Sequence, residues 1–353
     1  MNSTRRTVLK AAAGAAVLPS LSFHASAQTP KTLYVGVYNS AQGKLVQQQV
    51  IPQFEKDYNC KVFATEGATL GNIATLRATR DAPKYSVMSM DDVGIPLARA
   101  ENLIEHLDPE KIPNLNKVIK RYVLSDGYGV GLAVSSAALF FNPQLTKPLV
   151  SYEQMYDPQY RKAMLLNTPK YTQSVLMLIV AASLATGKPF SQSQYLIDQS
   201  WGRIADLKPN VMTIYDAEAM VLMVAQGQAK LGGIEYSKAV YPHTAKGVPL
   251  DMAFPKEGSF TGINAMTLVK NAPEPQLGSA FINRLLEPSV QKMLATATLS
   301  APTVTGLDFP PEIARYLAYP EARIDELKLF TPDWAWIAPR RGDWVERYNQ
   351  IFS

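Results

Sequence analysis

The first third of the chain alternates short apolar runs with longer segments in which apolar positions recur at helical spacing. The short runs are rich in β-branched and aromatic residues, which predicts strands over residues 32–38, 60–64 and 85–90. Helical spacing predicts helices over residues 44–58, 69–80 and 94–102, with Pro52 distorting the first of them. This strand–helix order is typical of a parallel sheet covered by helices on both faces.

The rest of the chain again mixes short buried strands with helices. Predicted strands cover residues 139–142, 164–167, 231–234, 252–255 and 265–269. Predicted helices cover residues 172–186, 216–227, 279–286 and 289–298. The pattern therefore predicts an α/β protein. The longest apolar run in this part, over residues 175–184, is too short to span a bilayer.

The N-terminus has the pattern of an export signal. Arg5, Arg6 and Lys10 precede an apolar, alanine-rich run over residues 11–21, and residues 25–27 have the A-x-A form of a cleavage site. We therefore predict a signal peptide over residues 1–27, cleaved after Ala27, and a periplasmic protein. The segment 4–10 also resembles a twin-arginine signal, the alternative being a general secretory leader in which two arginines are adjacent by chance.

Length and charge narrow the class of protein. The 326 residues after Ala27 are enough for two domains, and an apolar content of 47% supports well-formed cores. Without the three basic residues of the leader, the formal net charge falls from +5 to +2. No long basic run remains, so nucleic acid is not an expected partner. Cys60 is the one cysteine in the sequence, which excludes an intramolecular disulfide.

Signatures of enzyme chemistry are missing from the sequence. It contains no GxSxG, Walker, HExxH or CxxC motif, and the two histidines after the leader, His106 and His243, have no metal-like neighbours. We therefore expect no catalytic residues, no cofactor and no metal site. The adjacent carboxylates Asp91 and Asp92 leave three interpretations open: acid–base chemistry, a cation site, or the N-cap of the helix over residues 94–102.

Binding is the chemistry that remains, and the strand ends indicate where it would occur. In open α/β sheets, ligands lie beyond the carboxyl ends of strands, against helix N-termini. The residues that we predict to line the site follow a strand, start a helix or lie at a crossing segment: Tyr38, Asn39, Thr69, Asn72, Asp91, Tyr171, Thr172, Gln173, Glu235, Tyr236 and Asn264. Free amides at the two helix starts would favour an anionic group, with Lys170 adding charge. Glu235 and the Asp91–Asp92 pair would face an amine.

Four stretches in the second half carry a resemblance to a known family. They are residues 156–163 (YDPQYRKA), 227–232 (GQAKLG), 254–258 (FPKEG) and 281–289 (FINRLLEPS). Together they resemble the periplasmic solute-binding proteins of ABC importers, of the spermidine/putrescine and ferric-iron type. The resemblance covers nearly all of the chain after the leader. It implies a type II periplasmic-binding-protein fold, in which each of two lobes is a mixed sheet flanked by helices and the cleft between the lobes holds the solute.

In such a fold, residues 135–141 and 264–269 match the segments that cross between the lobes. Lobe 1 would comprise residues 28–134 and 264–305, and lobe 2 residues 135–263 and 306–353. We also expect a monomer without enzymatic activity. It would capture a small-molecule solute by hinge closure and deliver it to an inner-membrane ABC permease.

The resemblance leaves the ligand open. Polyamine binders of the family hold amines with acids and tryptophans, whereas the corresponding segment here, residues 170–173, reads KYTQ. The iron binders use neighbouring tyrosines, and this sequence has no adjacent tyrosine pair. We therefore predict an anionic or zwitterionic organic solute, such as a carboxylate, an amino acid or a phosphonate. A polyamine ligand, a sensor that presents ligand to a receptor, and a periplasmic enzyme on the same fold remain alternatives.

Overall fold

The computed structural model describes residues 30–352, so the predicted leader over residues 1–27 lies outside the described residues. Residues 30–352 contain twelve strands: β1 Lys31–Tyr38, β2 Cys60–Gly67, β3 Val87–Asp91, β4 Ile104–Glu105, β5 Val123–Leu124, β6 Gly129–Phe141, β7 Met164–Asn167, β8 Val211–Tyr215, β9 Leu231–Tyr236, β10 Asp251–Ala253, β11 Ser259–Val269 and β12 Leu329–Phe330.

The same residues contain fifteen α-helices: α1 Ala41–Leu45, α2 Ile51–Tyr58, α3 Thr69–Ala78, α4 Gly94–Ala100, α5 Thr172–Thr186, α6 Phe190–Ser193, α7 Trp201–Asp206, α8 Ala217–Ala225, α9 Ser237–Thr244, α10 Pro275–Leu285, α11 Pro288–Thr298, α12 Pro311–Ala314, α13 Glu321–Glu326, α14 Trp334–Ile337 and α15 Arg341–Phe352. None of the helices in this described part combines the length and the apolar character that a membrane crossing needs.

All twelve strands belong to one mixed sheet, whose main order is β2-β1-β3-β11-β6-β9-β7-β8. β1 pairs in parallel with β2 and β3, and β7 pairs in parallel with β8 and β9. β6 and β11 pair antiparallel with each other, β6 also pairs antiparallel with β9, and β11 pairs antiparallel with β3. The parallel arrangement predicted for the first three strands is therefore confirmed, and two antiparallel strands join it to a second parallel group.

β6 and β11 are the long strands at the centre of the sheet, and both extend beyond their predicted bounds. The sequence pattern predicts strands over residues 139–142 and 265–269, but β6 begins at Gly129 and β11 at Ser259. All 13 residues of β6 are buried, and many are glycine, serine or alanine, which lack the β-branched pattern on which the prediction depends. The register of β11 against β6 shifts between Asn264 and Ala265, as a bulge would produce.

The helix predicted over residues 44–58 is interrupted close to Pro52. A π-helical turn, Val46–Val50, follows α1, and α2 then begins at Ile51. Pro52 lies in the first turn of α2, where its missing N–H would have no partner within the helix in any case. The predicted distortion is confirmed, and Val46, Val50 and Phe54 remain buried across it.

Each parallel group of strands has its own apolar core. In the first, β1 and β2 pack with α10 and α11, and the rings of Phe54 and Phe281 meet edge to face at 5.2 Å. The second core surrounds α5, nearly all of which is buried. It also includes Trp334 and Trp344 from the C-terminal tail, residues 306–352. The tail is therefore part of the packed structure, and it brings α15 beside α7.

Candidate functional site

A cavity of about 420 Å³ lies where carboxyl ends of strands from both parallel groups approach β11. Eight of the predicted residues line it: Tyr38, Thr69, Asp91, Tyr171, Thr172, Gln173, Tyr236 and Asn264. They come from the ends of β1, β3 and β9, the starts of α3 and α5, and the middle of β11. The volume is in the range of pockets that bind small organic molecules.

The other three predicted residues, Asn39, Asn72 and Glu235, do not line this cavity. Asn39 is exposed, and its backbone N–H donates to the carbonyl oxygen of Gly67 (3.0 Å). Asn72 is buried, and its Nδ2 donates to the carbonyl oxygen of Ser89 (2.7 Å). The Asn72 side chain therefore ties α3 to β3 and stabilises one wall of the cavity.

Glu235 is buried beside the cavity and orients a residue that lines it. Its carboxylate accepts hydrogen bonds from Gln173 Nε2 (3.0 Å), Asn167 Nδ2 (3.3 Å) and the backbone N–H of Tyr236 (2.7 Å). Burial raises the pKa of Glu235, while these hydrogen bonds and the charge of Lys238 lower it. Because successive side chains of a strand point to opposite faces, Tyr236 faces the cavity and Glu235 does not.

The adjacent carboxylates Asp91 and Asp92 lie in different environments. Asp91 Oδ1 accepts a hydrogen bond from the backbone N–H of Gly94 (3.1 Å), and the Asp91 N–H donates to Thr69 Oγ1 (3.0 Å). The N-cap residue of α4 is Val93, so neither aspartate holds the predicted N-cap position, although Asp91 accepts a hydrogen bond from the first residue of the helix. Asp91 also remains partly exposed in the cavity. Asp92 is buried, and its Oδ2 has no hydrogen-bond partner among residues 30–352. Burial and the neighbouring charge of Asp91 raise the pKa of Asp92 to about 8.

Two cationic residues outside the predicted set also line the cavity, Lys238 and Arg341. Lys238 lies in the first turn of α9, two residues after Tyr236. Arg341 is the first residue of α15 and reaches the cavity from the C-terminal tail. Closeness to the end of β9 is a sequence signal that points to Lys238. No local signal points to Arg341, because its approach depends on how the tail packs.

The guanidinium of Arg341 has donors that the protein does not use. Nη2 donates to the carbonyl oxygen of Lys170 (2.9 Å), and Nε is buried without a partner among the described residues. Burial lowers the pKa of Arg341, and the charge of Asp91 raises it. A guanidinium nevertheless stays charged in proteins, and a buried donor without a partner is costly. An anion in the cavity would compensate the charge of Arg341.

Lys170, the cation that the sequence pattern selects, is already paired. Its Nζ lies 2.8 Å from Asp216 Oδ1, and both side chains are exposed. This ion pair raises the pKa of Lys170 and lowers that of Asp216. Asp216 therefore already compensates the charge of Lys170 at the rim of the cavity. Arg341 is better placed than Lys170 to bind an anionic group.

The remaining groups of the cavity suit an organic ligand. Within residues 30–352, no group of three His, Cys, Asp or Glu side chains is arranged to hold a metal ion. Cys60 is a free, buried thiol at the start of β2, and burial raises its pKa. The cavity itself presents hydroxyl, amide and carboxyl groups, tyrosine rings and the cations described above. This mixture is typical of sites for small polar molecules.

Gly262 in β11 leaves room for the ring of Tyr236. A Cβ atom at Gly262 would lie 2.3 Å from Cε1 of Tyr236, well inside van der Waals contact. We expect Gly262→Ala to displace this ring, break the contact of its hydroxyl with Thr172 Oγ1 (3.0 Å) and destabilise the fold by about 1–3 kcal/mol. Chemical denaturation measures the effect. Gly202→Ala is the control, because a Cβ there meets nothing within 4 Å. An unchanged free energy of unfolding for Gly262→Ala would contradict this packing.

Comparisons with known proteins place these features in a family. The sequence profile described as bacterial extracellular solute-binding protein matches residues 49–321. The spermidine/putrescine-binding periplasmic protein of Escherichia coli strain K12 is 25% identical over 341 residues, covering 94% of this chain and 91% of the relative.

Two solved structures share the fold at low sequence identity. An ABC transporter from Clostridium perfringens has 18% identity and a TM-score of 0.76, covering 91% of this chain and 100% of its own. The periplasmic binding protein AfuA from Actinobacillus pleuropneumoniae, with fructose-6-phosphate bound, has 15% identity and a TM-score of 0.70, covering 91% and 99%. The predicted two-lobed periplasmic-binding-protein fold is confirmed. Because the profile matches well over half of the sequence, the chain belongs to the bacterial extracellular solute-binding protein family.

Proposed function

We propose that the chain is the solute-binding component of an ABC-type importer and that it captures a small organic solute carrying an anionic group. Membership of the family supports the first part. Arg341 supports the second part, because this residue lines the cavity and its guanidinium stays charged in proteins. A carboxylate or phosphonate oxygen that accepts from the guanidinium would form a charge-assisted hydrogen bond, which is stronger than a neutral one.

The start of α5 favours the same kind of ligand. Thr172 and Gln173 line the cavity in the first turn of this 15-residue helix. The first backbone N–H groups of a helix have no partner within it, and the helix dipole adds partial positive charge at this end. Both features attract anions. Glu235 holds the side chain of Gln173, so the wall is preorganised for the ligand.

We propose that the eight lining residues of the predicted set bind the solute and that the two lobes close around it. Lobe 1 would comprise residues 28–134 and 264–305, and lobe 2 residues 135–263 and 306–353. β6 and β11 are the long strands of the sheet centre, so rotation near them would change the width of the cavity.

The closed form would meet an inner-membrane permease. Loss of solute uptake on deletion of the gene would support import, whereas lost signalling with normal uptake would favour a sensor.

A polyamine is the second candidate ligand. The Escherichia coli relative is named for spermidine and putrescine, and the cavity offers Asp91 together with the rings of Tyr38 and Tyr236 to an ammonium group. Lys238 and Arg341 oppose this candidate, because both place positive charge in the same cavity. The structural neighbour from Actinobacillus pleuropneumoniae, in contrast, has a phosphate ester bound.

A thermal-shift screen of the protein tests the ligand class. It would compare carboxylates, amino acids, phosphonates, polyamines and ferric citrate. A ligand that binds only the folded state adds about 2.7 kcal/mol of apparent stability at a hundredfold excess over Kd, so a true ligand produces a clear rise in Tm. We expect the rise from a compound with a carboxylate or phosphonate group. A rise with spermidine or putrescine and with no anion would contradict the proposal.

A further inference from the structure

Lys238 occupies a place in the cavity between aromatic rings from the two parallel groups. Its Nζ lies 5.9 Å from the ring centroid of Tyr38, at the end of β1, and 5.5 Å from that of Tyr236, at the end of β9. Its Nζ donates a hydrogen bond to Asn264 Oδ1 (3.5 Å). Tyrosine rings within about 6 Å of an ammonium attract it through their quadrupole. The surroundings of this Nζ are therefore those that a protein offers to an ammonium ligand.

Acidic groups surround the same ammonium without forming a close ion pair. Asp91 and Glu235 both attract Lys238 electrostatically, yet no carboxylate oxygen of residues 30–352 lies within 4.0 Å of its Nζ. Enclosure by the cavity walls lowers the pKa of Lys238, and the acids raise it. Lys238 is an exposed residue of the cavity lining.

We infer that Lys238 is a built-in substitute for a ligand ammonium: it fills the amine position between Tyr38 and Tyr236, so the cavity rejects diamines and polyamines. The inference rests on the proposed function only in taking this cavity as the solute site. A second ammonium at this place would meet the like charge of Lys238 at short range. Lys238 is then a residue that determines specificity by exclusion.

Removing the charge of Lys238 should open the cavity to a diamine. Lys238→Met keeps the length of the side chain without its ammonium, and we expect it to bind putrescine at least tenfold more tightly than the wild type does in calorimetry. Lys238→Gln should show the same direction of change, which separates the loss of charge from any effect of methionine. Lys246→Met is the matched control, since Lys246 is an exposed lysine just after α9 that does not line the cavity. We expect no gain from it.

Two results would overturn the inference. One is putrescine affinity that does not rise in either Lys238 variant, with circular dichroism showing both folded. The other is a wild type that already binds putrescine as tightly as the variants. Titration of the wild type with carboxylates and phosphonates is a separate arm. Failure of every anion to bind would contradict the proposed ligand class, whereas only the putrescine comparison decides the role of Lys238.

Discussion

Arg341→Ala should weaken binding of the anionic solute by about 2–5 kcal/mol, which corresponds to a roughly 30-fold to several-thousand-fold rise in Kd. The variant removes a guanidinium from the lining of the cavity, so the ligand would lose a charge-assisted hydrogen bond. Arg341→Lys should have a smaller effect, because lysine keeps the charge but not the fork of donors that matches a carboxylate or phosphonate. Calorimetry with the ligand from the screen measures both.

Arg340→Ala is the matched control for this prediction. Arg340 is exposed, its guanidinium stacks on the ring of Trp336, and it does not line the cavity. Arg341 also donates to the carbonyl oxygen of Lys170, so thermal unfolding without ligand is needed to separate folding from binding. Ligand affinity equal to wild type in a folded Arg341→Ala variant would exclude this residue from the site.

Asp92→Asn should raise the free energy of unfolding by up to about 4 kcal/mol at pH 7. The folded protein holds the pKa of Asp92 at about 8, against 3.8 for an ordinary aspartate. Between these values the folded protein keeps a proton that the unfolded chain has lost. The free energy of unfolding of the wild type therefore falls as the pH rises from about 4 to 8. Asparagine has no proton to lose, so this part of the pH dependence disappears.

Urea denaturation at several pH values from 4 to 8 tests this prediction. The stability difference between Asp92→Asn and the wild type should grow steadily across that range. Asp81→Asn, which changes an exposed carboxyl group, should leave the pH dependence close to that of the wild type. Parallel curves for the wild type and Asp92→Asn would show that the buried carboxyl does not retain its proton.

Local sequence patterns predict the parts of the site that follow directly from a strand or a helix start. Asp91 ends β3, and Thr172 starts α5, within a residue of the bounds that periodicity predicts. The carboxyl ends of parallel strands meet at one edge, so these residues are brought together once the order of elements is known. For Glu235 and Tyr236 the pattern identifies the strand end but not which of two successive side chains faces the cavity.

The two cations of the cavity depend on tertiary packing to different degrees. Lys238 lies two residues after the end of β9, so its position beside the cavity can be predicted from the strand end. Arg341 follows a tail that packs its tryptophans into the second core, and that packing is determined by contacts distant in sequence. The family profile ends at residue 321, so the segment that supplies Arg341 also lies outside the matched region. Periodicity and strand ends therefore predict the fold and most of the residues that line the cavity, but not the presence of Arg341 there.

A crystal structure of the protein with the ligand from the screen would show directly where the solute binds. We expect the solute to lie in the cavity between the ends of β1, β3 and β9. Its anionic group should lie within hydrogen-bond distance of the Arg341 guanidinium and close to the first turn of α5. An ammonium group bound between Tyr38 and Tyr236, with Lys238 displaced and no anion at Arg341, would contradict it.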